Sequence, residues 1–123
     1  MQWLAVAIGG ALGAVIRYSL VQFFPHPNGD FPWSTFIANL TGSVLIGFCY
    51  VLIVDKLIIP SYWRPFVVVG ILGGLTTFST FALDAYLIWH SGSVKMSVFY
   101  LFSSVLTCLA AAIGSIYLAQ RIF

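Results

Sequence analysis

The stretch that decides the fold runs from Gly70 to Phe81 and reads GILGGLTTFSTF. It lies near the middle of an apolar segment that is long enough to cross a bilayer. Glycine is a poor residue for a helix interior, and threonine and serine hydroxyls compete with the backbone for hydrogen bonds. Two adjacent glycines followed by Thr76 and Thr77 therefore predict a broken helix. Such a break leaves carbonyl groups of one half-helix and amide groups of the next without partners.

The composition places this stretch in a membrane protein. Of the 123 residues, 61% are hydrophobic and 7% are charged, five Lys or Arg against three acidic residues, and the mean hydropathy is +1.04. An average soluble domain has about 25% charged residues. A soluble fold of this size needs a polar surface that so few charges cannot supply. The composition excludes a water-soluble monomer, a disordered chain and a nucleic-acid-binding protein.

Four apolar segments are long enough to span a membrane as helices, which takes about 20 residues each. They run from about Gln2 to Phe24, Trp33 to Val54, Arg64 to Trp89 and Val94 to Ile122. A loop rich in proline and glycine, residues 25–32, separates the first two. The sequence therefore predicts an all-α membrane protein whose residues 1–123 form a single four-helix transmembrane domain. The positive residues of the loops favour neither orientation strongly, so both stay open.

Polar side chains inside hydrocarbon are costly unless they are paired, so their positions indicate function. Gly9, Gly13 and Arg17 share one face of the first segment, and the glycine pair permits close helix approach. Arg17 is interpreted either as an anchor near the membrane surface or as an anion-attracting charge at a vestibule. Asn39 in the second segment is interpreted either as an interhelical hydrogen-bond partner or as a pore-lining amide.

The third and fourth segments carry further candidates. Phe78 and Phe81 share a face, and the positive edges of aromatic rings can line an anion path, although packing is their common use. Asp84 follows on the same face, where pairing with a basic residue is the plainer interpretation. A polar stripe in the fourth segment either joins helices or replaces the water shell of an anion. Its members are Tyr100, Ser104, Thr107, Cys108 and Ser115.

The string from Gly73 to Phe81, GGLTTFSTF, closely resembles the signature of the Fluc fluoride channels, also called the CrcB family. The stretch GGALGAVIRY, which begins at Gly9, is similar to the family's first-helix pattern. The stretch NLTGS, which begins at Asn39, is similar to its second-helix motif. The length and the four-segment layout also agree, so the resemblance covers essentially the whole chain.

The resemblance implies a passive, fluoride-selective channel that exports fluoride through a bacterial inner membrane and gives fluoride resistance. It implies an antiparallel, dual-topology homodimer with two pores and a structural sodium ion at its centre. The backbone carbonyls of Gly73 and Thr76 would hold this ion. The implied pore residues are Asn39, Phe78, Phe81, Ser79, Thr80, Tyr100, Ser104 and Cys108. Arg17 matches the family's first-helix arginine, at a vestibule or in a pair.

Three positions depart from the family's pattern. Ser34 stands where many relatives have glycine, at the start of the second helix. Asp84, expected at a vestibule or in a pair, stands where the family usually has glutamate. Cys108 is a weak hydrogen-bond donor where a hydroxyl is expected.

Three other kinds of protein were weighed. A small multidrug transporter also has four spans in a short chain, but proton-coupled export calls for a membrane-embedded carboxylate, typically in the first helix, which has none here. A structural or assembly subunit without transport would share this composition. An enzyme is disfavoured because Asp84, His26 and His90 lie at segment ends or in loops, without nucleophile–base spacing.

Overall fold

The computed structural model describes residues 1–27 and 29–123, and the regular elements of this part are all helices. Asn28, in the predicted first loop, lies outside the described residues. Four segments are long and apolar enough to cross a membrane, and we call them the first to fourth spans: Gln2–Phe23, Trp33–Asp55, Ser61–His90 and Val94–Ile122. The prediction of an all-α membrane protein with four spans is confirmed, with boundaries that differ by a few residues.

The second and third spans contain irregular turns that the sequence did not predict. The α-helix Trp33–Tyr50 continues as a π-helical stretch, Val51–Asp55. The third span begins with a 3₁₀ turn, Ser61–Trp63, and a π-helical stretch, Pro65–Leu72, before the short α-helix Gly73–Leu75. Because π-helical turns are rare and often lie near functional sites, they direct attention to the middle of the third span.

The predicted break in the third span is confirmed at Thr76 and Thr77. Both residues are extended, with φ −82° and ψ 153° at Thr76 and φ −153° and ψ 126° at Thr77. A second α-helix, Phe78–His90, starts directly after them. Thr77 Oγ1 caps this helix by accepting a hydrogen bond from the Thr80 amide at 3.1 Å. Thr76 thus ends the first half-helix, and Thr77 stabilises the start of the next.

The break is also where the third span changes its packing partner. Before the break it packs mainly against the first span, and after the break Phe78–His90 packs against the fourth span. The second span packs mainly against the fourth. The buried apolar cluster lies after the break, between the third and fourth spans, and consists of Phe81, Ala85, Ile88 and Tyr100. The break therefore separates the half of the third span that packs on the first span from the half that packs on the fourth.

Glycines bring the first span against the backbone of the third. A Cβ atom added at Gly13 would meet the carbonyl oxygen of Ile71 and would lie 2.8 Å from the amide nitrogen of Leu75. A Cβ atom at Gly9 would meet the carbonyl oxygen of Phe66. The predicted close approach through Gly9 and Gly13 is confirmed, and its partner is the first half of the third span.

We expect Gly13→Ala to lower the free energy of unfolding by about 1–3 kcal/mol, the usual cost of overpacking. The added methyl group would meet backbone atoms, which cannot rotate away. Gly10→Ala is the matched control, because a Cβ atom there has no atom within 4 Å. Thermal unfolding of both variants in one detergent, followed by circular dichroism, measures the difference. Equal unfolding temperatures would contradict the predicted backbone contact.

Candidate functional site

A cavity of about 440 Å³, open at the surface of the chain, lies against the break in the third span. Side chains from the second, third and fourth spans line it. It brings together seven of the residues predicted for the ion path or the sodium site: Asn39, Gly73, Thr76, Phe78, Phe81, Ser104 and Cys108. Three predicted path residues lie outside its wall, namely Ser79, Thr80 and Tyr100. We call this space the break cavity.

Asn39 joins the second span to the break through two hydrogen bonds. Its Nδ2 donates to the carbonyl oxygen of Thr77 at 3.0 Å, and its Oδ1 accepts from the Thr77 amide at 2.7 Å. Asn39 thus makes an interhelical bond and also lines the break cavity. Because an amide nitrogen carries two hydrogens, one Nδ2 hydrogen remains after the bond to Thr77. The hydroxyl of Ser43, which belongs to the same sequence motif, donates to the Asn39 carbonyl at 2.8 Å.

The two phenylalanines of the break cavity differ in exposure. Phe81 is 6% exposed and belongs to the apolar core, whereas Phe78 is 78% exposed. Their ring centroids are 5.4 Å apart, with the planes inclined at 51°. Phe81 also packs against the ring of Tyr100, with centroids 5.2 Å apart. Tyr100 is fully buried and does not line the break cavity itself, but its ring contacts Phe81, which does.

The hydroxyl groups predicted for the ion path fall into two sets. Ser104 Oγ lies on the wall of the break cavity, is buried and has no hydrogen-bond partner in the part of the chain that the structure describes. The hydroxyls of Ser79 and Thr80 each lie 3.2 Å from Thr77 Oγ1. Ser79 is exposed, and Thr80 lines a different cavity. Ser104 is therefore the predicted hydroxyl that reaches the break cavity.

Arg17 and Thr80 line a second cavity, of about 340 Å³, which shares Thr77 with the break cavity. We call it the arginine cavity. Ser34 and Thr35 also line it. Ser34 Oγ is buried and, among residues 1–27 and 29–123, has no hydrogen-bond partner. The arginine cavity therefore combines a positive charge with several hydroxyl groups.

Asp84 is buried between the second, third and fourth spans. Its Oδ2 accepts hydrogen bonds from Thr35 Oγ1 at 2.6 Å and from the Tyr100 hydroxyl at 3.4 Å. Its Oδ1 lies 3.9 Å from Nε2 of His26, which belongs to the first loop. Asp84 thus lies against two hydroxyls and a histidine. The sequence did not indicate Thr35, because nothing in the spacing joins residues 49 positions apart.

The break takes the usual amide partners away from two carbonyl oxygens. In an uninterrupted helix the amides of Thr77 and Thr80 would bind the carbonyl oxygens of Gly73 and Thr76. Here the Thr77 amide donates to Asn39 Oδ1, and the Thr80 amide donates to Thr77 Oγ1. Within residues 1–27 and 29–123, the carbonyls of Gly73 and Thr76 therefore lack the amide partners that a continuous helix would give them.

The break cavity offers a ligand neutral groups. Its polar wall residues are Asn39, Ser43, Thr76, Thr77, Ser104 and Cys108, and none of the described residues that line it is charged. Among the described residues, no group of three His, Cys, Asp or Glu side chains is placed to hold a metal ion. The donors at the break are therefore amides, hydroxyls and carbonyls.

Comparison with known proteins places the chain in a family. Residues 4–116 match the family model described as CrcB-like protein, Camphor Resistance (CrcB). A protein of Hahella chejuensis named fluoride-specific ion channel FluC is 43% identical over 118 residues, which cover 95% of this chain and 93% of that protein. Proteins of the same name from Saccharophagus degradans and Nitrobacter winogradskyi are 38% and 41% identical, over 98% and 99% of this chain and 90% and 100% of their own lengths. The names of these relatives describe ion channels and not enzymes. Since the match spans nearly the whole four-helix domain, this chain belongs to the CrcB-like protein family.

Proposed function

We propose that this chain forms a passive, fluoride-selective channel that lets fluoride leave the cytoplasm through a bacterial inner membrane and so gives fluoride resistance. The break cavity carries the proposal, because it gathers neutral hydrogen-bond donors and two aromatic rings beside a broken helix. The names of the relatives supply the ion. A cell interior that is negative drives an anion outward, with about 2.3 kcal/mol per charge for each 100 mV.

Fluoride is small and strongly hydrated, so a channel for it must replace water at several weak sites. The remaining Nδ2 hydrogen of Asn39 and the hydroxyl of Ser104 supply two donors on one wall of the break cavity. The edges of Phe78 and Phe81 add positive potential without a formal charge. Because every group on this path is neutral, an ion that enters is held weakly and leaves again.

Arg17 serves in this proposal as the charge that draws anions toward the path. A fixed positive charge in a cleft raises the local concentration of anions. The hydroxyls of Thr80 and Ser34 share the arginine cavity with it. Thr77 lines both cavities. Anions gathered near Arg17 would therefore lie next to a residue that also lines the break cavity.

A single chain leaves the proposed path open on one side. Phe78 is 78% exposed, and Gly73 at the end of the first half-helix is exposed as well. A second copy in the opposite orientation would cover this side and supply a second path, which makes an antiparallel homodimer with two pores. The weak charge bias of the loops suits a chain that inserts both ways.

A structural sodium ion fits the carbonyls that lose their amide partners at the break. Both oxygens, those of Gly73 and Thr76, are hard ligands of the kind that alkali cations take in channels. Two copies would supply twice as many, at the centre of the dimer. The ion would add positive potential between the pores and hold the two copies together.

Efflux from liposomes tests the function. Purified protein should release fluoride and retain chloride.

Phe78→Ile should lower fluoride efflux by about tenfold or more, since about 1.4 kcal/mol of added barrier gives that factor. The exposed side chain of Phe78 makes little contribution to the fold of a single chain, and size-exclusion chromatography checks that the variant is still a dimer. Phe102→Ile is the matched control, because Phe102 is 65% exposed and lines neither cavity. Equal release of both ions would refute the proposal, and unchanged efflux in the Phe78 variant would remove its ring from the path.

Asn39→Asp tests the amide donor. The aspartate keeps an oxygen for the Thr77 amide but loses the donor to the Thr77 carbonyl and adds a negative charge to the path. We expect efflux to fall by about tenfold or more, which corresponds to at least ~1.4 kcal/mol. Thr41→Ala, on the exposed side of the same helix, should keep the wild-type rate. An aspartate variant with wild-type efflux would show that Asn39 does not act on the ion.

Removal of sodium tests the central ion. A ligand present at about 100 times its Kd adds about 2.7 kcal/mol to the stability of the state that binds it. Replacing sodium by N-methylglucamine in detergent should therefore shift the dimer toward monomer, as measured by size-exclusion chromatography. Replacing chloride by gluconate at constant sodium is the control and should leave the dimer intact. A dimer fraction that does not respond to sodium would contradict the proposed ion.

A further inference from the structure

The first loop brings a histidine to a buried carboxylate. His26 lies between Pro25 and Pro27, and its Nε2 is 3.9 Å from Asp84 Oδ1. The side chain of His26 is 24% exposed and that of Asp84 is 8% exposed. The other ring nitrogen, Nδ1, is buried and has no hydrogen-bond partner within the described ranges. The ring is thus partly enclosed, with the carboxylate as its ionic neighbour.

Asp84 is connected to the break cavity through two aromatic rings. The Tyr100 hydroxyl donates to Asp84 Oδ2, and the Tyr100 ring packs on Phe81, which lines the cavity. An ionised Asp84 therefore places a negative charge behind the Phe81 ring. In partly buried surroundings such a charge acts more strongly than it would in water. It repels an anion that approaches Phe81 unless a positive charge offsets it.

We propose that His26 is a proton-dependent counter-ion of Asp84, so that fluoride conduction rises as the pH falls. The inference rests on the proposed function. Histidine ordinarily changes its charge between about pH 5 and about pH 8. When His26 is neutral, its ring does not offset the negative charge of Asp84. When His26 is protonated, both ring nitrogens are donors and the ring attracts Oδ1, which offsets the negative charge.

The other described groups around Asp84 are Thr35 from the second span, Tyr100 from the fourth span and Arg17 from the first span, through the cavity that it shares with Thr35. Thr35 and Tyr100 donate as neutral hydroxyls, and Arg17 keeps its charge. His90, at the end of the third span, is exposed and stacks on Tyr86 with centroids 5.7 Å apart. Among these described groups, His26 is the histidine that lies next to Asp84, with its Nε2 3.9 Å from Oδ1.

His26→Gln tests the proposal. Fluoride efflux from liposomes is measured from about pH 8 to about pH 5.5, with the same pH inside and outside. The efflux of protein-free liposomes at each pH is subtracted, because hydrogen fluoride crosses bilayers unaided. Wild-type efflux should rise by roughly threefold, the factor expected for a partly exposed ion pair. His26→Gln should stay level near the high-pH rate, whereas the matched variant His90→Gln should keep the wild-type rise.

Asp84→Asn gives a second measurement. Whatever its absolute rate, this variant should lose the pH response, and the double variant with His26→Gln should show the same flat profile. A rise that survives in His26→Gln, or a wild-type profile that is flat, would overturn the role of His26 and leave the channel proposal standing. Absence of fluoride efflux at every pH would overturn the proposed function and this inference with it.

Discussion

The pairing of Asn39 with Thr77 is the interaction on which the rest of the site depends. An unsatisfied backbone group in hydrocarbon costs several kcal/mol, so a helix can break inside a membrane only where protein or water takes up the freed groups. One side-chain amide satisfies both backbone groups of Thr77, at 2.7 Å and 3.0 Å. The same bonds tie the second span to the break and keep the Thr77 amide away from the Gly73 carbonyl. A single asparagine thus satisfies the backbone at the break, which makes the broken helix tolerable inside the membrane.

The distribution of charge follows from this arrangement. The break cavity is lined by neutral groups, while Arg17 lies in the neighbouring cavity and Asp84 is held among hydroxyls. Neutral donors bind an anion less tightly than a fixed cation does, so an anion bound by such donors can dissociate again. Cys108 contributes the weakest donor on the wall. In the proposed channel, discrimination among anions would depend on the spacing of these donors, since none of the described residues that line the break cavity is charged.

Local sequence was enough to predict the elements but not the contacts between them. The glycines and threonines from Gly73 to Thr77 predicted the break because each acts on its own backbone. The glycine pair in the first span predicted close approach, but its partner became known only from the structure. The hydrogen bond from Thr35 to Asp84 and the approach of His26 to the same carboxylate join residues far apart in sequence. No periodicity reports such contacts, because they arise from the crossing of spans. The π-helical stretches were also missed, since most of their residues are ordinary apolar ones.

The exchange of packing partners at the break has a consequence for biosynthesis. The first span packs mainly against the first half of the third, and the second span packs mainly against the fourth. Each of the first two helices is therefore made before its main partner, and the second must wait for the last helix of the chain. Until the third span is made, Asn39 therefore lacks the backbone groups of Thr77 with which it pairs. The order of synthesis thus leaves the second span with an unpaired polar side chain, which is costly in hydrocarbon, until the third span follows it.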